Sequence, residues 1–185
     1  MNKLNLGCGL DVRPGYINID NRNLAPGVVI ADIEKPAFWK HLKDNQFDKI
    51  IAHHTLEHVF HMDYVVTQIY RTLRPGGVLS LKSPHFTHVH LHPYHYKGFC
   101  IGYFKHLNNY HPEIKFEHLV RPRLRYTTIT VTNWTPINIF KYCFIHGLGV
   151  PLTVIANLSP GLCERVWGYW FGGFEEVAFK VRAIK

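Results

Sequence analysis

The chain has 185 residues, of which 46% are hydrophobic and 18% are charged. This composition excludes a disordered chain, and the length allows one domain with a substantial hydrophobic core. Four cysteines without a CxxC pair exclude a disulfide framework and a zinc finger, so we expect a reducing, cytoplasmic location. No apolar run is long enough to span a membrane, and we expect no signal peptide.

The formal net charge is +8, and 14 histidines are present in addition. A basic balance is typical of proteins that bind nucleic acid, anionic lipid or an acidic small substrate. No run of five or more basic residues occurs, so nucleic acid is favoured only weakly. All three classes of partner therefore stay open at this point.

The first predicted strand, Lys3–Leu6, runs directly into two glycines, Gly7 and Gly9. Glycines at a strand end let the backbone turn sharply and approach a ligand closely. The second strand, Tyr16–Asp20, ends in the carboxylate of Asp20, which suits the two hydroxyls of a ribose. This order predicts a nucleotide site at the carboxyl edge of a parallel sheet. The third glycine of the dinucleotide motif is missing, which disfavours a diphosphate ligand.

The next segments continue with alternating strands and helices. A third apolar run ends in an acid, and the fourth strand delivers His53 and His54 to the same sheet edge. Apolar residues at helical spacing predict a helix over Thr55–Leu73. The alternation predicts an α/β fold with a parallel sheet. The other predicted elements here are the strands Val28–Asp32, Gln46–Ala52 and Val78–Lys82, and a short helix within Pro36–Asn45.

The second half of the chain has weaker periodicity and many aromatic residues. Two further strands are predicted at Arg121–Thr132 and Phe174–Ala183. Helices are predicted at Phe99–Leu107, Asn138–Ile145 and Leu152–Trp167. The connection between the two strands indicates an insertion or a lid, because ordinary connections are short.

Three histidines alternate in the segment between the two halves: His88, His90 and His92. They would share one face of an extended strand, an arrangement that suits a transition metal. No acid or cysteine lies nearby in the sequence, so this is not a zinc signature. We predict no metal site and favour solvated or substrate-contacting histidines.

Two other features have alternative interpretations. The alternating Arg121, Arg123 and Arg125 either bind an anionic substrate or form a solvated strand face. The aromatic segment Phe140–Phe174 either packs in the core and in a dimer contact, or meets a membrane surface. The sequence favours core packing for this segment.

Five stretches occur in a characteristic order: Leu4–Gly9, Ile17–Asp20, Ala31–Ile33, His53–His58 and Leu73–Leu79. Together they resemble the class I S-adenosylmethionine-dependent methyltransferases of the small methyltransferase-domain type. The resemblance implies a Rossmann-like, seven-stranded sheet, mostly parallel, with an antiparallel last strand inserted between two neighbours. It implies a single methyltransferase domain over residues 1–185.

The resemblance also divides this expected domain by role. Residues 1–85 form the cofactor-binding half. Residues 86–120 form a histidine-rich segment on the acceptor side, and residues 133–173 form a helical aromatic insertion between the last two strands.

The cofactor that the resemblance implies is S-adenosylmethionine, with S-adenosylhomocysteine as the product. The resemblance implies that the backbone of the glycine turn lies along the methionine moiety. It implies that Asp20 binds the ribose hydroxyls and that Asp32 with Ile33 binds the adenine. The implied cofactor-binding residues are Leu6, Gly7, Cys8, Gly9, Asp20, Asp32, Ile33, His53 and His54.

Methyl transfer from a sulfonium requires alignment of the acceptor and exclusion of water. A base is needed only if the acceptor must lose a proton, and histidine is the natural candidate at neutral pH. The candidate catalytic residues are His54, His85 and His95, with His58 as a further option. The expected acceptor is a small molecule or a glycan, with an anionic one favoured by charge. Alternatives are an RNA or protein acceptor, and a non-catalytic module that acts as a partner subunit or homodimer.

Overall fold

The computed structural model describes residues 1–87, 93–126, 135–168 and 174–185. Its strands are β1 (Lys3–Leu6), β2 (Ile17–Asp20), β3 (Val28–Ile30), β4 (Phe47–His53), β5 (Leu73–Pro84), β6 (Phe116–His118), β7 (Arg123–Tyr126) and β8 (Phe174–Ala183). They form one eight-stranded sheet in the order β3-β2-β1-β4-β5-β8-β6, with β7 also paired to β8. The first five strands pair in parallel, and β8 is antiparallel to its three neighbours.

The helices are α1 (Pro36–Trp39), α2 (Met62–Thr72), α3 (Tyr103–Tyr110), α4 (Pro136–Leu158) and α5 (Pro160–Cys163). One 3-10 turn, Leu56–His58, follows β4, and one π-helical turn, Glu164–Gly168, follows α5. No helix separates β1, β2 and β3, as the sequence predicts. Among the described residues, no helix is both long and apolar enough to cross a membrane.

The core is centred on β1 and β4, whose apolar residues Leu4, Leu6, Ile50 and Ala52 are fully buried. The two strands pair in register, with Leu4 opposite Ile50 and Leu6 opposite Ala52. Parallel strands with neighbours on both sides bury both of their faces, so they form nearly continuous apolar runs. Their carboxyl ends reach the same sheet edge, which places the glycine turn beside the histidines that end β4.

The last strand confirms the predicted fold class, although the sheet has eight strands and not the predicted seven. β8 lies antiparallel between β5 on one side and β6 with β7 on the other. Val177, Phe179 and Val181 are buried in it, whereas Lys180 and Arg182 are exposed. The pairing with β5 runs from Val78 opposite Arg182 to Pro84 opposite Glu176. This register brings the start of β8 to the carboxyl end of β5.

Several predicted helix boundaries are wrong. The helix predicted over Thr55–Leu73 is a 3-10 turn followed by α2, because Val59 is extended and its N–H closes the turn onto the Leu56 carbonyl. The helix predicted within Pro36–Asn45 is four residues long. α3 begins at Tyr103, later than predicted, and β6 has no counterpart in the sequence prediction.

The two helices predicted at Asn138–Ile145 and Leu152–Trp167 are mainly one helix, α4, which continues through Pro151. The Asn157 side chain attaches this helix to β7. Its amide accepts from the Leu124 N–H at 3.0 Å and donates to the Leu124 carbonyl at 2.7 Å. Tertiary contacts of this kind offset the hydrogen bond that a proline removes from a helix. Of the strand predicted at Arg121–Thr132, residues 127–132 lie outside the described part.

Candidate functional site

The glycine turn after β1 is held in a conformation that requires glycine. Gly7 and Gly9 have φ angles of +59° and +53°. A Cβ at Gly7 would lie 2.4 Å from both Oγ1 and Cγ2 of Thr55. Thr55 itself donates to the Leu6 carbonyl at 3.0 Å. The backbone of the turn therefore lies directly against the segment that follows β4.

Asp20, at the end of β2, closes this turn. Its Oδ2 accepts from the Gly9 N–H at 2.8 Å, and its Oδ1 accepts from the Arg22 N–H at 3.0 Å. The side chain is almost fully buried. Each carboxylate oxygen has a second lone pair, so the group can still accept hydrogen bonds from a ligand.

A cavity of about 730 Å³ opens at this edge of the sheet. Six of the predicted cofactor residues line it: Gly7, Gly9, Asp20, Asp32, Ile33 and His54. The other three do not. Leu6 and Cys8 are buried in the core, where burial raises the pKa of the Cys8 thiol, and His53 is not among the lining residues.

Glu34 forms the outer wall of the cavity and was not found by sequence reasoning. Its Oε1 accepts from the backbone N–H groups of Phe60 at 2.9 Å and His61 at 2.8 Å. Asp32 caps the same loop by accepting from the Glu34 N–H at 2.9 Å. These bonds join the loop after β3 to the start of α2 and fix the cavity on this side.

His53 and His54 have opposite electrostatic environments. His53 is partly buried, with its Nε2 3.0 Å from Ser80 Oγ. Burial, together with the nearby Lys82, lowers the pKa of His53 to about 4. It is therefore neutral at physiological pH.

His54 adopts φ +52° and directs its ring between two carboxylates. Its Nε2 donates to Glu176 Oε2 at 2.7 Å, and its Nδ1 lies 3.5 Å from Glu57 Oε1. The hydrogen bond to Glu176, followed by the contact with Glu57, raises the pKa of His54 to about 9. Burial would raise the pKa of Glu176, but His54 and the nearby Arg125 outweigh it and lower that pKa.

Glu176 is the second functional residue that sequence reasoning missed. It is only 5% exposed, although it lies on the same strand face as the exposed Lys180 and Arg182. The alternation therefore places it among the outward residues, and the sequence gives no signal for its burial. Its partner could not be found from the sequence, because 122 residues separate the two positions.

The other two candidate bases lie in different surroundings. His85 is fully buried, between Thr87 Oγ1 and Glu164 Oε1, both at 2.9 Å, and does not line the cavity. His95 is half-buried, and its ring packs against that of His58 with centroids 4.8 Å apart. His58 lines the cavity. His88, His90 and His92 lie outside the described residues.

The predicted arginines do not line the cavity. Arg121 precedes β7, and Arg123 and Arg125 are exposed on it. Only Arg125 reaches the acids of β8, at 3.5 Å from Glu175 and 3.8 Å from Glu176. It contacts the site through Glu176.

The fold and the cavity define a Rossmann-like protein with a nucleotide-type site at the carboxyl edge of its sheet. Residues 4–81 match the family model described as a methyltransferase domain. No curated protein matches the chain significantly in sequence. Over residues 4–81 in sequence, and over the whole chain in fold, the protein is similar to class I S-adenosylmethionine-dependent methyltransferases, which confirms the resemblance predicted from its motifs.

Three solved structures illustrate the likeness. An S-adenosylmethionine-dependent methyltransferase from Archaeoglobus fulgidus is 16% identical, with 98% of this chain and 85% of that chain covered and a TM-score of 0.58. Haemonchus contortus phosphoethanolamine N-methyltransferase 2, solved with S-adenosylmethionine, is 13% identical (100% and 49% covered, TM-score 0.53). A putative methyltransferase of Haloferax volcanii, in complex with the Trm112 activator, is 11% identical (100% and 83% covered, TM-score 0.54).

Proposed function

We propose that the protein transfers a methyl group from S-adenosylmethionine to a small-molecule or sugar-type acceptor. The observation that carries this proposal is the Gly9–Asp20 hydrogen bond at the mouth of a cavity lined by the ends of four neighbouring strands. A cavity of about 730 Å³ is within the usual range of about 300–1,000 Å³ for small-molecule sites.

The residues present suit this cofactor. Asp20 would accept the ribose hydroxyls, and Asp32 with Ile33 would face the adenine. The backbone of Gly7 to Gly9 would lie along the methionine moiety. Gly7 has to be glycine, because a side chain there would collide with Thr55. The roles of Leu6 and Cys8 would be confined to their backbone, since both side chains are buried.

The cofactor supplies an activated methyl group, so the chain must bind and orient the cofactor and the acceptor and exclude water. His54 would place a positive charge on the cavity wall. It is a poor general base, because the hydrogen bond to Glu176 and the nearby Glu57 carboxylate favour its protonated form. Glu176 offsets this charge at 2.7 Å, so the feature that favours an anionic acceptor is the net charge of +8 of the whole chain. His53 would support this edge of the sheet through its contact with Ser80. His85 would connect β5 to the π-helical turn through Glu164.

The proposal is tested by the affinity of Asp20→Asn for S-adenosylmethionine, measured by calorimetric titration. A hydrogen bond to a charged group contributes about 1.5–3 kcal/mol, so we expect affinity to fall about 10- to 100-fold. Asp63→Asn, at an exposed acid of α2, is the control and should bind normally. Absence of heat with the folded wild-type protein would favour a non-catalytic module instead.

Partner proteins and RNA remain alternatives for the acceptor side. The Haloferax neighbour is found with an activator subunit, which supports the idea that this fold accommodates a partner. The basic net charge of +8 is the only feature that favours RNA. RNA binding would weaken steeply with salt, whereas a small neutral sugar would not.

We further propose that α4 contacts an anionic membrane surface, where a lipid-linked acceptor would be found. Residues 136–158 contain no acid. Arg121, Arg123 and Arg125 add positive charge on and beside β7, against which α4 packs. Basic charge beside apolar side chains is typical of helices at anionic lipid interfaces. The exposed large apolar residues of α4 include Ile137, Phe140, Phe144, Leu148, Ile155 and Leu158.

A further inference from the structure

A second cluster of ligand-type side chains lies beside the cofactor cavity. Glu57, His58 and His95 each offer one donor atom, and the three atoms lie within 4.8 Å of one another. Two of them come from the 3-10 turn after β4, and the third comes from a loop 37 residues further on. His58 also lines the cavity, so the cluster borders the space where an acceptor would bind.

Glu57 is the fixed member of this cluster. Its side chain is 0% exposed. Oε2 accepts from Ser83 Oγ at 2.9 Å, whereas Oε1 has no hydrogen-bond partner among the described residues. His54 Nδ1 lies 3.5 Å from Oε1, beyond the usual hydrogen-bond distance. A buried carboxylate oxygen without a hydrogen bond is costly, unless a cation compensates it.

His58 is oriented in the way that metal-binding histidines are. Its Nδ1 lies 3.0 Å from the Tyr94 carbonyl oxygen, and a carbonyl can only accept, so Nδ1 carries the proton. The neutral ring then has its lone pair on Nε2. A histidine ligand usually donates its second ring N–H to a carbonyl or carboxylate, which fixes the ring.

Backbone bonds hold the loop of His95 in place. The Tyr96 N–H donates to the Glu57 carbonyl at 2.8 Å, so the loop is attached directly to the turn that carries the other two ligands. The His58 and His95 rings meet edge to face at 66°. The cluster therefore spans two segments that a backbone hydrogen bond holds side by side.

We propose that Glu57, His58 and His95 bind one divalent transition-metal ion, such as zinc, with an open coordination position towards the cavity. Two imidazoles and one carboxylate suit borderline ions, and three protein ligands leave room for a further oxygen. The neighbouring charge of His54 is offset by Glu176 at 2.7 Å. The ligand set differs from the predicted His88, His90 and His92, which lie outside the described residues.

The catalytic role of this metal site rests on the proposed function. An acceptor hydroxyl on the ion would lose its proton to water at a lower pH than in solution. The oxygen would then form the new O–CH3 bond while the S–CH3 bond breaks and leaves neutral S-adenosylhomocysteine. The metal would thus activate the acceptor oxygen without a protein side chain as general base.

Titration of the metal-free protein with Co²⁺, followed by visible absorption, tests the site without substrate. We expect one ion per chain, with d–d bands of a nitrogen and oxygen site. Affinity should fall at least about tenfold in His58→Ala and in His95→Ala. Glu57→Gln should also lose the ion, with thermal unfolding as the check on its fold. His111→Ala, at an exposed histidine beside Glu113, is the matched control and should bind normally.

Two outcomes would overturn the proposal. One is unchanged Co²⁺ affinity in both His58→Ala and His95→Ala. The other is loss of the ion in a His88→Ala/His90→Ala/His92→Ala variant, which would assign binding to that segment. Binding of S-adenosylmethionine in the presence of EDTA is measured in parallel. If it persists when no metal binds, only the metal site is wrong and the proposed function stands.

Discussion

At the scale of single residues, the two glycines of the first turn have different reasons to be glycine. Both have positive φ, but only Gly7 faces a neighbour, with Thr55 atoms 2.4 Å from a would-be Cβ. No atom lies within 4 Å of the corresponding position at Gly9. Backbone strain therefore acts at both positions, and steric overlap acts at Gly7 alone.

Alanine substitutions separate these two effects. We expect Gly9→Ala to lower the free energy of unfolding by about 1–2 kcal/mol, the cost of a left-handed conformation. Gly7→Ala should cost several kcal/mol more, because the new Cβ overlaps a buried side chain. Urea denaturation measures both.

A double variant identifies the cause at Gly7. Thr55→Ala/Gly7→Ala removes the two closest colliding atoms, leaves Thr55 Cβ at 2.9 Å, and should recover part of the loss relative to the sum of the two single variants. Strictly additive losses would mean that the overlap with Thr55 is not the reason for the glycine.

At the scale of elements, α4 is the part whose surface is least explained by the fold. Its second half packs on β7 through Asn157 and the buried Ala156. Much of the remaining surface is apolar and exposed, including both Phe140 and Phe144. Exposed apolar patches of this kind mark an interaction surface.

Vesicle binding tests α4 directly. Co-sedimentation with phosphatidylglycerol vesicles should be strong for the wild type and weaker at high salt. Burying one large apolar side chain contributes about 1.5–3 kcal/mol, so Phe140→Ser/Phe144→Ser should lower the partition coefficient at least about tenfold. Tyr110→Ser, at an exposed aromatic residue of α3, is the control. Absence of vesicle binding, with a dimer that the double variant dissociates, would make α4 a subunit interface.

At the scale of the whole molecule, stability at acid pH depends on His53, which is partly buried at the sheet edge. The pKa of His53 falls from an ordinary value of 6.5 to about 4 in the folded state, because of burial and the nearby Lys82. Between these two values the unfolded chain binds more protons than the folded one. The contribution of neutral His53 to the free energy of unfolding is complete above pH 6.5 and is lost as the pH falls towards 4.

A pH series of urea denaturation curves measures this effect. The free energy of unfolding of the wild type should decrease from pH 6.5 to 4. His53→Gln, which retains a hydrogen-bonding group beside Ser80, should show a shallower decrease. His41→Gln, at an exposed histidine, controls for the loss of any imidazole. An acid slope that is identical in wild type and His53→Gln would contradict the assignment.

The sequence by itself determined the sheet edge and most of the cavity. Gly7, Asp20 and Asp32 each follow a short strand, and parallel strands bring their carboxyl ends together whatever the rest of the chain does. Six of the nine predicted cofactor residues line one cavity for that reason. Local patterns failed at helix boundaries, such as Pro151, where packing on β7 outweighs propensity.

Only the tertiary structure decided which groups surround the acceptor side. His54 meets Glu176 because antiparallel β8 places its first residues at the carboxyl end of β5, and no local pattern encodes that register. The same holds for His95, which reaches Glu57 and His58 through a loop fixed by backbone hydrogen bonds. His85 was predicted beside them but is buried against Glu164 instead. Long-range pairing sets these distances, and it depends on the whole packed sheet.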